Sequence, residues 1–239
     1  MKLLSTANPK IQKGAKLGYL SFILHLAPAT LSGKETCPKR TAGCTAACLN
    51  TAGRGGMFRK GENTNIIQQA RIRKTKMFFE QRDEFMAQLI KDIRLGIKQA
   101  ATLGLTPVFR LNGTSDLAWE KYEAANGKNI FELFDYVQFY DYTKVLGRKT
   151  GDIKNYHLTF SAADGNELDV QAAIQAGMNV AMVFDKLPDE YMGRKVFNAD
   201  DTDLRFLDPK GVIAGLKAKG RAKKDTSGFV RRTIQIVSA

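Results

Sequence analysis

The sequence is poor in the residues that mark a secreted, membrane-spanning or zinc-finger chain. Its 239 residues include three cysteines and two histidines. Three is odd, and two of the cysteines stand four apart in a stretch rich in glycine and alanine, so a disulfide framework is not expected. No run approaches the ~20 apolar residues that cross a bilayer. The opening MKLLSTANPKIQKG carries neither an apolar signal core nor a cleavage site. No membrane partner and a cytoplasmic location are therefore expected. A G-x-S-x-G elbow, a G-x-x-x-x-G-K-[ST] loop and an H-E-x-x-H pair are all missing, which sets aside the commonest hydrolase, nucleotide-loop and zinc-protease signatures. Acidic residues are scarce: 24 face 37 lysines and arginines, for a net charge of +13. That balance suits an anionic metabolite, an acidic redox partner or nucleic acid, and selects none of them.

What is present reads as one globular domain over residues 1–239, with enough apolar content (44%) for a real core. Tyr19 to Ala27 is a buried-type strand stopped by Pro28, and residues 30–61 form a long loop. From Asn65 to Leu103 the pattern is helical with a break near Arg82. There Phe85, Leu89, Ile93 and Ile97 recur at four-residue spacing, and Gly104 stands at the C-terminal cap. Strands are predicted at Pro107–Leu111, Tyr136–Tyr142, Tyr156–Ala162 and Asn179–Phe184. Helices are predicted from about Asp116, after Asn129, and over Asn166–Ala176. Strand-like character returns at Leu204–Leu207, Val212–Leu216 and Thr233–Val237, and a mobile loop is expected between Lys217 and Gly228. Strands alternating with amphipathic helices predict a parallel α/β sheet. At roughly six βα units, fewer than the eight of a complete barrel, a partial or open TIM-barrel-like sheet is favoured.

In such folds the strand carboxyl ends share one face, where sites form. The residues that fall there are His25, Asn112 to Asp116, Asp141, Thr143, Ser161, Asp164, Asp185 and Lys186. Asp116 or Ser115 could equally cap a helix, and Asp164 could start a turn. Cys37, Cys44 and Cys48, in the loop after the first strand, are the strongest signal. Thiolates are soft ligands for iron–sulfur clusters and zinc. The loop glycines allow tight bending, and nearby lysines and arginines would favour thiolates. Zinc completed by His25 or His157 is the competing reading.

A three-cysteine loop directly after the first strand of a partial (βα) barrel resembles the radical S-adenosylmethionine (SAM) enzymes. The Cys-Pro-containing loop is also similar to that of a group of phage-encoded proteins. The resemblance implies a radical-SAM-like fold and a [4Fe–4S] cluster on Cys37, Cys44 and Cys48, with one iron open to SAM or another small ligand. It places the phage protein in the host cytoplasm. Here the spacing is C-x6-C-x3-C where the family has C-x3-C-x2-C. The Gly-Gly-Glu segment after the second strand is replaced by Leu111 to Asp116. Asn112, Thr114, Ser115, Ser161 and His25 are then the candidate cofactor-binding residues, and Asp116, Asp141 and Asp185 the candidates for proton transfer. The expected function is a redox or radical-type enzyme served by a reductant, with an acidic electron-transfer partner. The alternatives are an electron carrier or redox sensor without substrate and, ranked below it, a zinc-containing nucleic-acid-binding protein.

Overall fold

The computed structural model describes residues 1–6 and 13–232. Its centre is a mixed, mostly parallel ten-stranded sheet. Strand β1 (Leu4–Ser5) lies antiparallel on the edge beside β2 (Tyr19–Leu24). Parallel strands then follow in chain order: β3 (Thr106–Arg110), β6 (Gln138–Thr143), β7 (Tyr156–Ser161), β8 (Val180–Phe184) and β11 (Ile213–Lys217). Beyond β11 lie β10 (Arg194–Asn198), still parallel, and β9 (Glu190–Tyr191), antiparallel. Off this sheet, β4 (Glu123–Ala125) and β5 (Lys128–Asn129) form a small hairpin.

The two faces of the sheet differ. Alternate residues of each strand point to opposite sides, and on one side Phe22, Phe109 and Phe139 meet the helices. A short helix, α1 (Ala42–Ala46), lies in the cysteine loop. Helices α2 (Ile66–Glu80) and α3 (Arg82–Thr102) meet at Gln81, close to the expected break. The stripe Phe85, Met86, Leu89 and Ile93 is buried against the β2–β3 phenylalanines. Gly96 allows the closest approach: a Cβ there would sit 3.2 Å from the rings of Phe22 and Phe109. Helix α4 (Ile130–Leu133) starts with a capping box between Asn129 and Glu132. Helix α5 (Glu167–Gln175) covers β7 and β8 through Val170 and Ala173. The other side of the sheet, with Ile23, Arg110, Tyr142, Ala181 and Leu216, lines a cavity instead of a helix layer.

Three expectations change. The helix from Asp116 is a single 3-10 turn, Trp119–Lys121. The Asn112 side chain takes the Leu117 amide and the Trp119 indole N–H, at 2.9 and 3.1 Å, and so ties the segment into a turn. Residues 204–207 are also a 3-10 turn, not a strand. Arg205 is fully buried there, donating to the Thr202 carbonyl and ion-paired with the Asp208 carboxylate at 3.2 Å. The segment 217–228 contains a 3-10 turn, Gly220–Lys224, whose Ala222 is buried against Ala47 of the cysteine loop. It ends in β12 (Val230–Arg231), which pairs with β8 at Val183 and Phe184, past the point where β7 leaves it. The expected strand at Thr233–Val237 lies outside the described residues.

Phe109 packs on Phe22 with ring centroids 5.1 Å apart and on Phe139 at 5.6 Å. Phe109→Ala is expected to cost about 3–5 kcal/mol in urea unfolding, whereas Leu168→Ala, on an exposed face of α5, should cost less than about 0.5 kcal/mol.

Candidate functional site

The cysteine loop is fastened across the carboxyl ends of the strands at three points. Near β2, Thr36 donates its hydroxyl to the Ala27 carbonyl at 2.6 Å, and the Ala27 amide donates to the Thr75 hydroxyl of α2 at 2.8 Å. Near β3, the Asp116 amide donates to the Thr36 carbonyl at 2.8 Å, and Thr114 donates its hydroxyl to the Leu26 carbonyl at 2.5 Å. Near β7, Asp164 accepts the Thr41 hydroxyl, the Gly43 amide at 3.0 Å and the Cys44 amide at 3.1 Å. It therefore shares with Thr41, the N-cap, the open amides at the start of α1. Partial burial alone would raise the Asp164 carboxyl, but the hydrogen bonds from Thr41, Gly43 and Cys44 outweigh it and hold it below the ordinary carboxylate value. Gly43 is needed for this approach, since a Cβ there would fall 2.6 Å from Asp164 Oδ1 and would overlap the Ser227 hydroxyl.

The result is a cavity of about 560 Å³ lined by all three cysteines. The thiols are free and partly buried. Two of them are met by backbone N–H groups: Ala29 donates to Cys37 Sγ and Asn50 to Cys48 Sγ, each at 3.5 Å. Ala29 reaches Cys37 from a left-handed backbone, φ +50°, a conformation that favours glycine. Burial pushes the Cys37 thiol up, and it pushes the Cys48 thiol up to about 11, with Cys44 and Cys37 adding to the rise at Cys48.

Among the described residues, no three His, Cys, Asp or Glu side chains are grouped closely enough to hold a single metal ion. A tetrahedral zinc site, with Zn–S bonds of about 2.3 Å, draws its sulfurs to within about 4 Å of one another. The three thiols share one cavity, and backbone amides reach two of the sulfurs.

The other expected site residues divide. His25, Asn112, Thr114, Ser115, Asp116 and Ser161 line the cavity with the cysteines. Three of these spend their side-chain bonds on the turn itself. Asn112 Oδ1 accepts from Ser115 Oγ at 2.9 Å as well as from Leu117 and Trp119, and Thr114 bonds back to Leu26. They shape the turn after β3, where Gly113 passes so close to β2 that a Cβ would stand 2.6 Å from His25 Nδ1. His25 is held neutral, its pKa lowered to about 3 by burial and then by Arg71, Arg110 and Lys74. Asp116 accepts the Lys144 amide through Oδ2 at 2.7 Å, while its buried Oδ1 has no hydrogen bond and lies 3.9 Å from Arg148.

Asp141 and Asp185 are not among the cavity-lining residues. Asp141 is fully buried and accepts the Asn112 amide at 2.7 Å, the Leu111 amide at 3.3 Å and the Tyr156 hydroxyl at 3.1 Å, so it ties β3 to β6 and β7. Burial pushes its carboxyl up to about 7, against the lowering effect of Arg110 and the Asn112 amide. Asp185 accepts the Lys186 amide and faces Arg232 at 3.9 Å. His157, the alternative zinc ligand, is likewise not a lining residue, and its Nε2 stands 3.5 Å from Thr159 Oγ1.

Sequence reasoning missed the cations of the cavity. Arg71 of α2, Arg110 of β3 and Lys144 after β6 all line it. Arg110 binds Asp203 at 2.9 Å and lies over the Tyr142 ring, 4.7 Å from its centroid. Arg71 donates to Asn50 Oδ1 at 2.5 Å, and Lys144 to Ser161 Oγ at 3.3 Å.

A family model described as gene product 88 matches residues 2–233. The chain belongs to the gene product 88 family. That membership is consistent with a phage-type protein and brings no cofactor or reaction with it. No curated protein matches this member of the gene product 88 family, and no solved structure does. None of its described helices is long and apolar enough to cross a membrane.

Two variants test how the cysteine loop is docked. Gly43→Ala should lower stability by about 1–3 kcal/mol through overpacking. Asp164→Asn should lose roughly 1 kcal/mol near neutral pH, a figure that discounts for its partial exposure. Because the folded Asp164 carboxyl lies below its ordinary value of 3.8, its contribution is full above that pH and is lost as pH falls through the lower folded value. The wild-type and Asp164→Asn thermal midpoints should therefore converge in strong acid and differ at pH 7.

Proposed function

We propose that Cys37, Cys44 and Cys48 hold an iron–sulfur cluster, of the [4Fe–4S] type with one iron left to a small ligand, at the mouth of a half-barrel. The carrying observation is that all three free thiols line one cavity at the carboxyl ends of the parallel strands. Two further features support the half-barrel and its likeness to radical-SAM enzymes. The parallel strands β2, β3, β6, β7 and β8 lie side by side in chain order, as barrel strands do; past β8 the order changes, with β11 next to β8 and β10 beyond it. Helices cover one side while the other side faces the cavity.

When bound, such a cluster supplies one-electron redox chemistry and an iron to which a small ligand can attach. The protein's own part is to exclude water, hold three sulfurs and balance charge. Backbone amides of Ala29 and Asn50 reach two of the sulfurs, a contact that stabilises negative charge on sulfur and tunes potential. Arg71 and Lys144 place positive charge in the same cavity. Asp116 lines that cavity, with its Oδ1 buried beside Arg148, and is the candidate for proton transfer or ligand orientation. Asp141 and Asp185 take no part in this reading. SAM is one small ligand to be tried at the open iron, and an acidic protein reductant would suit the net charge of +13.

The experiment is anaerobic purification and reconstitution, with iron and sulfide analysis of wild type and of Cys37→Ala, Cys44→Ala and Cys48→Ala. Wild type should hold stoichiometric iron and sulfide, and each variant should lose most of both. Electron paramagnetic resonance of the reduced protein should change on adding SAM if SAM takes the open iron. An unchanged spectrum removes SAM, and wild type without iron removes the cluster.

A further inference from the structure

The cavity contains more positive charge than its carboxylates account for. Lys219 is paired with Asp200, and Arg110 with Asp203. Arg71 and Lys144 also line the cavity, and among the described residues neither has a carboxylate partner within ion-pair distance. Arg71 is an unusual place for an unbalanced charge. It rises from the middle of α2, is only partly exposed, and spends one nitrogen on Asn50, while its buried Nε has no hydrogen bond. A half-buried guanidinium without an anion loses hydration that neutral amide oxygens replace only in part. His25 also lines the cavity, and its Nδ1 is buried without a hydrogen bond. Ile23, Ala181, Val183 and Leu216 add apolar side chains to the same lining. Unspent cationic donors together with apolar side chains in one cavity suit a small organic molecule with one anionic end.

We infer that the cavity binds a small organic anion, a carboxylate or phosphate ester, whose charged group is taken by Arg71 and Lys144 and whose carbon part lies against those apolar side chains. This deepens the proposed function by naming the class of its small-molecule ligand, and it rests on that reading only in using the same cavity. The charges that bind the anion belong to the chain, so binding does not require iron.

The test is isothermal titration of the full chain at constant ionic strength, with inorganic phosphate and with citrate as probes, on iron-loaded and iron-free protein. Saturable binding is expected for at least one probe. Arg71→Gln and Lys144→Gln should each weaken it tenfold or more, Arg71→Lys should recover part of the loss, and Arg94→Gln, on an exposed stretch of α3, should leave it unchanged. A rise in thermal midpoint with probe concentration, absent in Arg71→Gln, provides a readout that separates a folded variant from an unfolded one. Arg71-dependent binding in a protein that takes up no iron would uphold this inference while the cluster reading falls. Equal weak affinity in wild type, Arg71→Gln and Arg94→Gln, or no saturable binding of either probe, would overturn it. Preference for citrate or for phosphate identifies the anionic group.

Discussion

The short contact between Asp164 and the start of the cysteine helix is what the rest of the site depends on. One carboxylate from the end of β7 accepts the Thr41 hydroxyl and the Gly43 and Cys44 amides. It thereby fixes α1, and with it Cys44, over the opening of the sheet. The loop would otherwise span residues 25–65 with few regular hydrogen bonds to hold it, and an ordered loop of that length must recover its conformational entropy through such attachments. Gly43 is part of the same contact, because the carboxylate and Ser227 occupy the space a side chain would need. Ala222, packed against Ala47, closes the loop from the opposite side.

The sheet supplies a second constraint. Its parallel strands present apolar rings to α2, α3 and α5 on one side, so polar and charged residues on the same strands point to the other. Arg110 and Tyr142 reach the cavity because Phe109 and Phe139, one and three residues before them in the same strands, are committed to the helix side. The carboxyl ends of the strands then carry a chain of buried ion pairs and hydrogen bonds, from Asp203 through Arg110, Asp141 and Tyr156 to Arg148 and Glu120. These groups stiffen the rim on which the cysteine loop rests. A buried charge in such a chain is costly to isolate, which explains why Asp141 serves the frame and not the cavity.

Much of this could be read from the residues alone, because much of it is local. The four-residue spacing of Phe85, Leu89 and Ile93 and the break at Arg82 reflect a single helix face, and the α2–α3 pair follows from them. The capping signal at Asn129 and the apolar strands β2, β3, β7 and β8 are local in the same way. The hairpin at Asn126-Gly127 was not foreseen: Asn-Gly favours the positive φ that both residues adopt, but the flanking strands are only two or three residues long. Strand β10, RKVFN, has too few apolar residues to stand out near the sheet edge. Asp164 read as a turn residue because only the fold shows that its partners lie more than 110 positions earlier. Arg71, Lys144 and Asp203 carry no local mark for the same reason: they come from α2, the end of β6 and the segment just before the Arg205–Leu207 turn, and only the fold brings them to one cavity.

The most direct measurement is iron K-edge X-ray absorption on the anaerobically reconstituted protein. The account predicts a first shell dominated by sulfur together with a short iron–iron path, both lost when Cys37, Cys44 and Cys48 are replaced together. A shell of oxygen and nitrogen alone, or iron that remains unchanged in the triple replacement, would contradict it.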